Sequence, residues 1–360
     1  MTTASPPGGN TIARRAEPGP YSGTGLVPRH RHRFLVLLAA FALLLAMSVL
    51  SLMVGARAIA PSTVWDALFH FDVSVDEHAM VRELRLPRTV IGLLVGAALG
   101  LCGALIQAFT RNPLADPGVL GVNAGAAFAV TFAVAVLGLT DPAAFVWFAL
   151  AGAFGVTVLV YTLGSLGADR ATPVKLTLAG VALTAVFSGL TSALTLKSLA
   201  TLDIMRFWGV GSIGGRRLDI LTVAVPLIGV GILVGLLTAR SLNALALGDD
   251  SARALGVPIG VTRVAVVLSV TLLAGTAVAV AGPIAFVGLM VPHVVRWFTG
   301  PDQRWILPLT LVVAPSFLLA ADIVGRIVLP NGELRVGLVT ALVGAPVLVA
   351  LVRRRNVSGL

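Results

Sequence analysis

Uncharged apolar runs alternate with short polar stretches along almost the whole chain. Runs free of charge cover residues 34–54, 89–110, 117–140, 142–168, 176–196, 220–239, 264–295, 305–321 and 336–352. A helix rising about 1.5 Å per residue needs roughly 20 residues to cross about 30 Å of hydrocarbon, so most of these runs match one crossing each. The run 264–295 is too long for a single crossing and is interrupted by Gly282-Pro283, a helix breaker, so it divides in two. The pattern predicts an all-α polytopic membrane protein, with ten transmembrane helices in a single bundle over residues 34–360. Residues 1–33, with Pro6, Pro7, Pro18, Pro20, Pro28 and several glycines, have little to bury and read as a disordered basic tail. An even number of spans puts both termini on one side. Arg29, Arg31 and Arg33 before the first run and Arg353 to Arg355 after the last make that side cytoplasmic.

Composition agrees. Hydrophobic residues make up 57% of the 360 and charged residues 12%, where a soluble domain carries about 25% charged; the mean hydropathy is +0.97. A soluble fold is excluded. The net charge of +10 sits largely in arginines flanking spans, as membrane anchors do, and does not imply nucleic acid. With the tail set aside, arginine and lysine are nearly balanced between the two sides, so the arginines on the outer side need a reason of their own. The single cysteine, Cys102, lies in an apolar run and forms no internal disulfide.

The polar island 240–263, RSLNALALGDDSARALGVPIGVTR, lies between two uncharged runs. In it Asp249 is placed as an N-cap, Asp250 falls in a first turn, Arg253 lies near the other end, and Gly256 and Pro258 stop the helix. A helix this short is far below the roughly 12 to 15 residues needed for marginal stability alone. It therefore docks on something through Ala252 and Leu255, with Leu245 and Leu247 as further candidates. The bland reading is a connecting loop with one helical turn; the functional one is a knob offered to a second protein.

Elsewhere Gly92, Gly96, Gly100, Ala104 and Ala108 recur at every fourth position, a small-residue strip where another helix packs closely. The stretch 57–88 is polar and mixed in charge and ends in LRLPR, where Pro87 suits the start of a helix. The stretch 197–219 holds FWGVGSIGGRR, with enough glycine to bend sharply.

Chemistry that drives transport is missing. The only lysines, Lys175 and Lys197, follow Val174 and Leu196, so no GxxxxGK[ST] phosphate loop exists and nucleotide hydrolysis falls to another polypeptide. Ion-coupled carriers keep acidic or histidine side chains within their spans, and here Asp322 and His293 are the nearest candidates. Asp322 precedes Arg326 by one helical turn, which favours an intrahelical pair over a proton site; His293 is read as a packing or hydrogen-bonding group over a relay. No His, Cys and carboxylate cluster has metal-ligand spacing, no paired catalytic groups occur, and no cofactor is implied. What remains is a passive helical conduit driven by proteins at its two ends.

Several segments resemble the FecCD family, the iron-siderophore and vitamin B12 permeases of bacterial ABC importers. They are LRLPRTVIGLLVGAALGLCGALIQAFTRNPLADPGVLGVNAGA at 84–126, including Gln107, Asn112 and Pro113, then LALGDDSARALGVP, AGPIAFVGLMVPHVVR, and ADIVGRIV with ELRVGLVTALVGAP, in that order. The resemblance implies ten helices per subunit of the type II importer kind, a second permease subunit alike or related, two cytoplasmic ATPases and one extracytoplasmic binding protein. It implies a ferric siderophore as cargo, with cobalamin or haem as alternatives and an ion-coupled carrier as a remote one. It also implies that short helices at about 241–258 contact the ATPases, through Gly248, Asp249, Ala252, Arg253, Leu255 and Gly256. Arg85, Arg88 and Arg326 match positions that face acidic residues of the binding protein; interfacial anchoring is their other reading. The long Pro-rich tail departs from the family pattern, as does LPNG at 329–332.

Overall fold

The computed structural model describes residues 30–166, 172–216, 218–330 and 332–353. Most of the expected tail (1–29), the end of the run 142–168, Arg354 and Arg355 lie outside them. Among the described residues there are helices and no strand: α1 (His30–Met53), α2 (Pro61–Phe69), α3 (Asp76–Ala79), α4 (Leu86–Thr110), α5 (Val122–Ala135), α6 (Pro142–Gly164), α7 (Pro173–Thr195), α8 (Leu199–Trp208), α9 (Leu221–Leu237), α10 (Ala239–Leu245), α11 (Asp249–Ala254), α12 (Ile259–Ala281), α13 (Val287–Thr299), α14 (Gln303–Ile327) and α15 (Val336–Arg353).

Among the described residues seven helical stretches are long and apolar enough to cross a membrane by themselves, with shorter apolar helices beside them. The shortening has local causes. The run 117–140 does not form one helix: Pro117–Leu120 is a 3-10 turn, and Gly121 at φ 74° turns the chain before α5 begins. α13 has only 13 residues because Gly282 and Phe286, both at positive φ, hold 282–286 out of helical conformation.

α4 is the core helix, packed against α14, α12, α13 and α9. α4, α12 and α14 are buried along most of their length, whereas α1 and α7 expose most of theirs. The strip expected on α4 faces α14. A methyl added at Gly96 would lie 2.5 Å from Pro315 Cα, one at Gly100 would lie 2.3 Å from Ala314 Cβ, and one at Gly92 would lie 2.7 Å from a Leu319 methyl. Gly103, one step off that strip, meets Gly288 of α13: a Cβ there would come within 1.8 Å of the Gly288 carbonyl. Backbones approach this closely only where side chains are absent.

Pro87 lies in the first turn of α4, as expected, but it does not open a new helix. The chain is helical from Asp76, and Met80–Arg85 forms a π-helical turn that leads directly into α4. Proline lacks an N–H and displaces the carbonyl of the preceding turn, which a widened turn accommodates. The glycine-rich stretch after α7 also contains more than a bend: it opens with α8, then enters the bundle. There Ser212 N–H donates to the Ala281 carbonyl (2.7 Å), and a methyl on Gly211 would lie 2.3 Å from the Pro283 carbonyl. Irregular backbone at this depth is buried in protein, where its polar groups find partners.

Candidate functional sites at the two ends of the bundle

At one end lie the start of α1, α10 and α11. The expected N-cap is corrected by the structure. Gly248, at φ 105°, occupies the cap position, and Asp249 is the first helical residue. Its carboxylate is drawn sideways: Oδ1 accepts from Arg111, and Oδ2 accepts from Arg263 Nη2 at 2.6 Å. Arg111 sits just past the end of α4 in a left-handed conformation, φ 51°, and Arg263 lies in the first turns of α12. One carboxylate thus ties α11 to two core helices. Asn243 does the same for α10. Its Nδ2 donates to Asp302 Oδ1 (2.7 Å), and its Oδ1 accepts the Gln303 N–H (2.9 Å) at the start of α14. Burial raises the Asp302 pKa, but the Asn243 amide, the Arg304 N–H and the charges of Arg304 and Arg33 outweigh it and hold the carboxyl below its ordinary range.

The end of α11 follows the expected stop signal. Gly256, at φ 77°, donates to the Arg253 carbonyl and Val257 to the Ala252 carbonyl, the paired bonds of a Schellman cap. Arg253 pairs with Asp250 one turn earlier (2.7 Å). Ala252 and Leu245 are buried against the bundle, while Leu247 and Leu255 are 68% and 64% exposed. Of the four apolar candidates, two hold the segment in place and two face outward.

A third polar group closes this end beneath α11. Gln107, fully buried in α4, donates to the carbonyls of Gly288 and Leu289 (3.2 and 3.1 Å) and accepts from Arg296 Nη1 (2.9 Å). His293 Nε2 lies 2.6 Å from the Pro113 carbonyl. These contacts join α13 to α4 and its following turn. They occupy the histidine as a structural pin.

At the opposite end are Arg85, Arg88 and Arg326, and here the expected landing surface is corrected. Asp322 is 1% exposed. Arg88 grips it with Nε (3.0 Å to Oδ2) and Nη2 (2.8 Å to Oδ1), and Arg326 binds Oδ2 through Nε at 2.9 Å and through Nη2. Arg326 also donates to the Ser51 and Val54 carbonyls (2.7 and 3.1 Å). Arg85 donates to the Leu52 carbonyl (2.8 Å) and the Arg57 carbonyl. Arg85 and Arg326 are buried, and Arg88 reaches outward only to Glu333 (2.6 Å). The intrahelical Asp322–Arg326 pair is present, but the larger contact is with Arg88, from a different helix. These arginines clamp α1, α4 and α14 together. They floor a cleft of about 880 Å³ whose rim carries the exposed Arg57 and Arg82.

Among the described residues no group of His, Cys, Asp and Glu could hold a metal ion. The molecule is a polytopic helical membrane permease with a polar fastening at each end of a buried helix pair. Residues 43–354 match the model of the FecCD transport family, and the chain belongs to it. It is 48% identical to the ferric enterobactin transport system permease protein FepD of Escherichia coli (strain K12), over 88% of this chain and 94% of that one. It is 38% identical to a siderophore transport system permease, YfiZ, of Bacillus subtilis (strain 168), over 89% and 96%. Among solved structures it superposes on an inward-facing metal-chelate type ABC transporter with a TM-score of 0.77 and 30% identity, over 89% of this chain and 99% of that one.

Proposed function

We propose that this chain is the membrane permease subunit of an ATP-binding-cassette importer that carries a ferric siderophore. In this reading it crosses the membrane ten times with both termini cytoplasmic, α5 and α13 completing their crossings with the irregular segments 117–121 and 282–286 before them, and the 18-residue α15 crossing alone. It pairs with a second permease subunit, receives its cargo from an extracytoplasmic binding protein and is driven by two cytoplasmic ATPase subunits.

The observation that carries the reading is the α10–α11 segment. Polar side chains fasten it to α4, α12 and α14, and two leucines are left facing outward at the end of the bundle. A segment held by the core that presents Leu247 and Leu255 beside the exposed Asp250–Arg253 pair suits an input from another protein. At the far end, the binding protein meets the rim of the arginine cleft at Arg57 and Arg82, while Arg85, Arg88 and Arg326 shape its floor. The relatives named for ferric enterobactin and for siderophores support an iron chelate as cargo.

The test is uptake of radiolabelled iron chelate into proteoliposomes holding the complete transporter with its binding protein, beside cobalamin and haem. The expected result is uptake of the iron chelate that requires ATP and the ATPase subunits. Uptake by this subunit under a proton gradient alone would overturn the reading, and uptake of cobalamin or haem alone would replace the cargo.

A further inference from the structure

The N-terminal ends of α1 and α14 enclose a cavity of about 100 Å³ lined by Arg33, Leu37, Arg304, Trp305, Pro308 and Leu309. Arg33 is only 8% exposed. Among the described residues its guanidinium meets no hydrogen-bond acceptor: Asp302 Oδ2 is 3.9 Å from Nη1, beyond bonding distance, and Nε is buried without a partner. Its other neighbour is the ring of Trp305, 5.9 Å from centroid to guanidinium carbon. Asp302 is already engaged by the Asn243 amide and the Arg304 N–H. Buried charged donors without acceptors are rare and unfavourable, and Arg33 and Arg304 share one carboxylate, Asp302, at 3.9 and 3.5 Å, so the site is short of one anion.

The surroundings say which kind. On α1, polar residues to Arg33 give way at once to the exposed apolar side chains of Phe34, Leu35, Leu38 and Phe41. The cavity therefore lies at the polar boundary of a membrane helix, with arginines and a tryptophan above Leu37, Pro308 and Leu309. Two helix N-termini add positive potential, and its two arginines outnumber the single nearby carboxylate, Asp302. A free anion has no use for the apolar floor, whereas a phospholipid needs both parts. We propose that this cavity binds the phosphodiester of an anionic phospholipid of the inner leaflet, gripped by Arg33 and Arg304, with an acyl chain along Leu37 and the exposed face of α1. Arg33 also neighbours the carboxylate that holds Asn243 of α10, so the lipid sits beside a fastening of the α10–α11 segment. The inference uses the membrane orientation proposed above and is independent of the cargo.

The complete transporter is exchanged into nanodiscs of phosphatidylcholine with or without phosphatidylglycerol, and retained lipid is read by native mass spectrometry. The wild type is expected to retain phosphatidylglycerol in preference to phosphatidylcholine. Arg33→Gln removes a charge-assisted contact and lowers that preference about tenfold, and Arg33→Lys restores part of it. Arg304→Gln, at an exposed position, lowers it less and serves if Arg33→Gln fails to fold. Absence of the preference in the wild type, or equal preference in folded Arg33→Gln and wild type, overturns the proposal. So does displacement of the lipid by inorganic phosphate, which would mark a free-anion site. ATPase stimulation by loaded binding protein in phosphatidylcholine discs is measured in parallel, so failure of the transport reading is seen separately.

Discussion

The two ends of the α4–α14 pair use the same chemical unit, one carboxylate between two arginines, in opposite surroundings. At the end proposed as outer, Asp322 lies between Arg88 and Arg326 and is 1% exposed. At the end proposed as inner, Asp249 lies between Arg111 and Arg263, and the side chains of Asp249, Arg111 and Arg263 are 30%, 40% and 12% exposed. α4 supplies an arginine to each unit: Arg88 in its first turn and Arg111 at its C-terminal cap. A buried triad is costly to break, because removing one partner strands the others in a medium that cannot solvate them. A half-exposed one contributes less, because water and salt reach its Asp249 and Arg111 members. The outer unit therefore behaves as a fixed joint and the inner one as a fastening that can yield, which is what an element receiving force from another protein requires.

The sharpest way to break the comparison is at the fixed joint. Asp322→Ala leaves Arg326 buried without its counter-ion and Arg88 with only the half-exposed Glu333, and is expected to destabilise the subunit by about 3–5 kcal/mol. It should appear as lost expression or a large fall in unfolding temperature in detergent. A variant as stable as wild type would show that Arg88 and Arg326 reach water, and the outer unit would cease to differ from the inner one. Next in size is Gly256→Val. A β-branched residue in the left-handed cap of α11 costs on the order of 1–3 kcal/mol of local strain, with open space around the new Cβ. The expected outcome is assembly with ATPase activity retained and uptake reduced, read as ATP consumed per chelate moved. The smallest effect is expected at the cleft rim. Arg82→Glu with Arg57→Glu should weaken binding-protein affinity by a few-fold and reduce its salt dependence, because charges on a rim act mainly on encounter. An equal loss from Arg85→Gln, whose side chain is turned inward, would restore the floor arginines as direct contacts.

Much of this was legible in the sequence, and the boundary has physical reasons. The long apolar runs gave α1, α4, α6, α7, α9, α12 and α14, because length and hydropathy fix a crossing wherever the backbone is regular. α5 and α13 came out shorter because the left-handed residues Gly121 and Phe286 break the helix inside an apolar run, where hydropathy is blind. α2 and α8 are short helices in polar stretches and leave no such signal. Asp249 reads as an N-cap from its neighbours alone. It is pulled from that role by Arg111, 138 residues away in the chain, while Gly248 adopts the cap conformation. Arg88 and Asp322 lie 234 positions apart, so no spacing rule joins them, and the arginines read as a free surface. The Asp322–Arg326 turn was visible because both members lie on one helix. Gln107 and Asn112 were noticed only through the family resemblance. The polar role of Asn243 gave no local signal, since its partners begin 59 residues later.

Force is proposed to enter through the fastening at Asp249, and the ratio of ATP hydrolysed to chelate transported in proteoliposomes, for wild type and Asp249→Asn, measures this directly. The substitution keeps the shape of the side chain and removes the charge that holds Arg111 and Arg263. The Arg111 pair is open to water, where such pairs contribute about 0–1 kcal/mol, and the asparagine keeps an oxygen that can accept from Arg263, so the unfolding temperature should fall far less than for Asp322→Ala. The account predicts that hydrolysis continues while transport per ATP falls severalfold. An unchanged ratio in a normally assembled variant would contradict it.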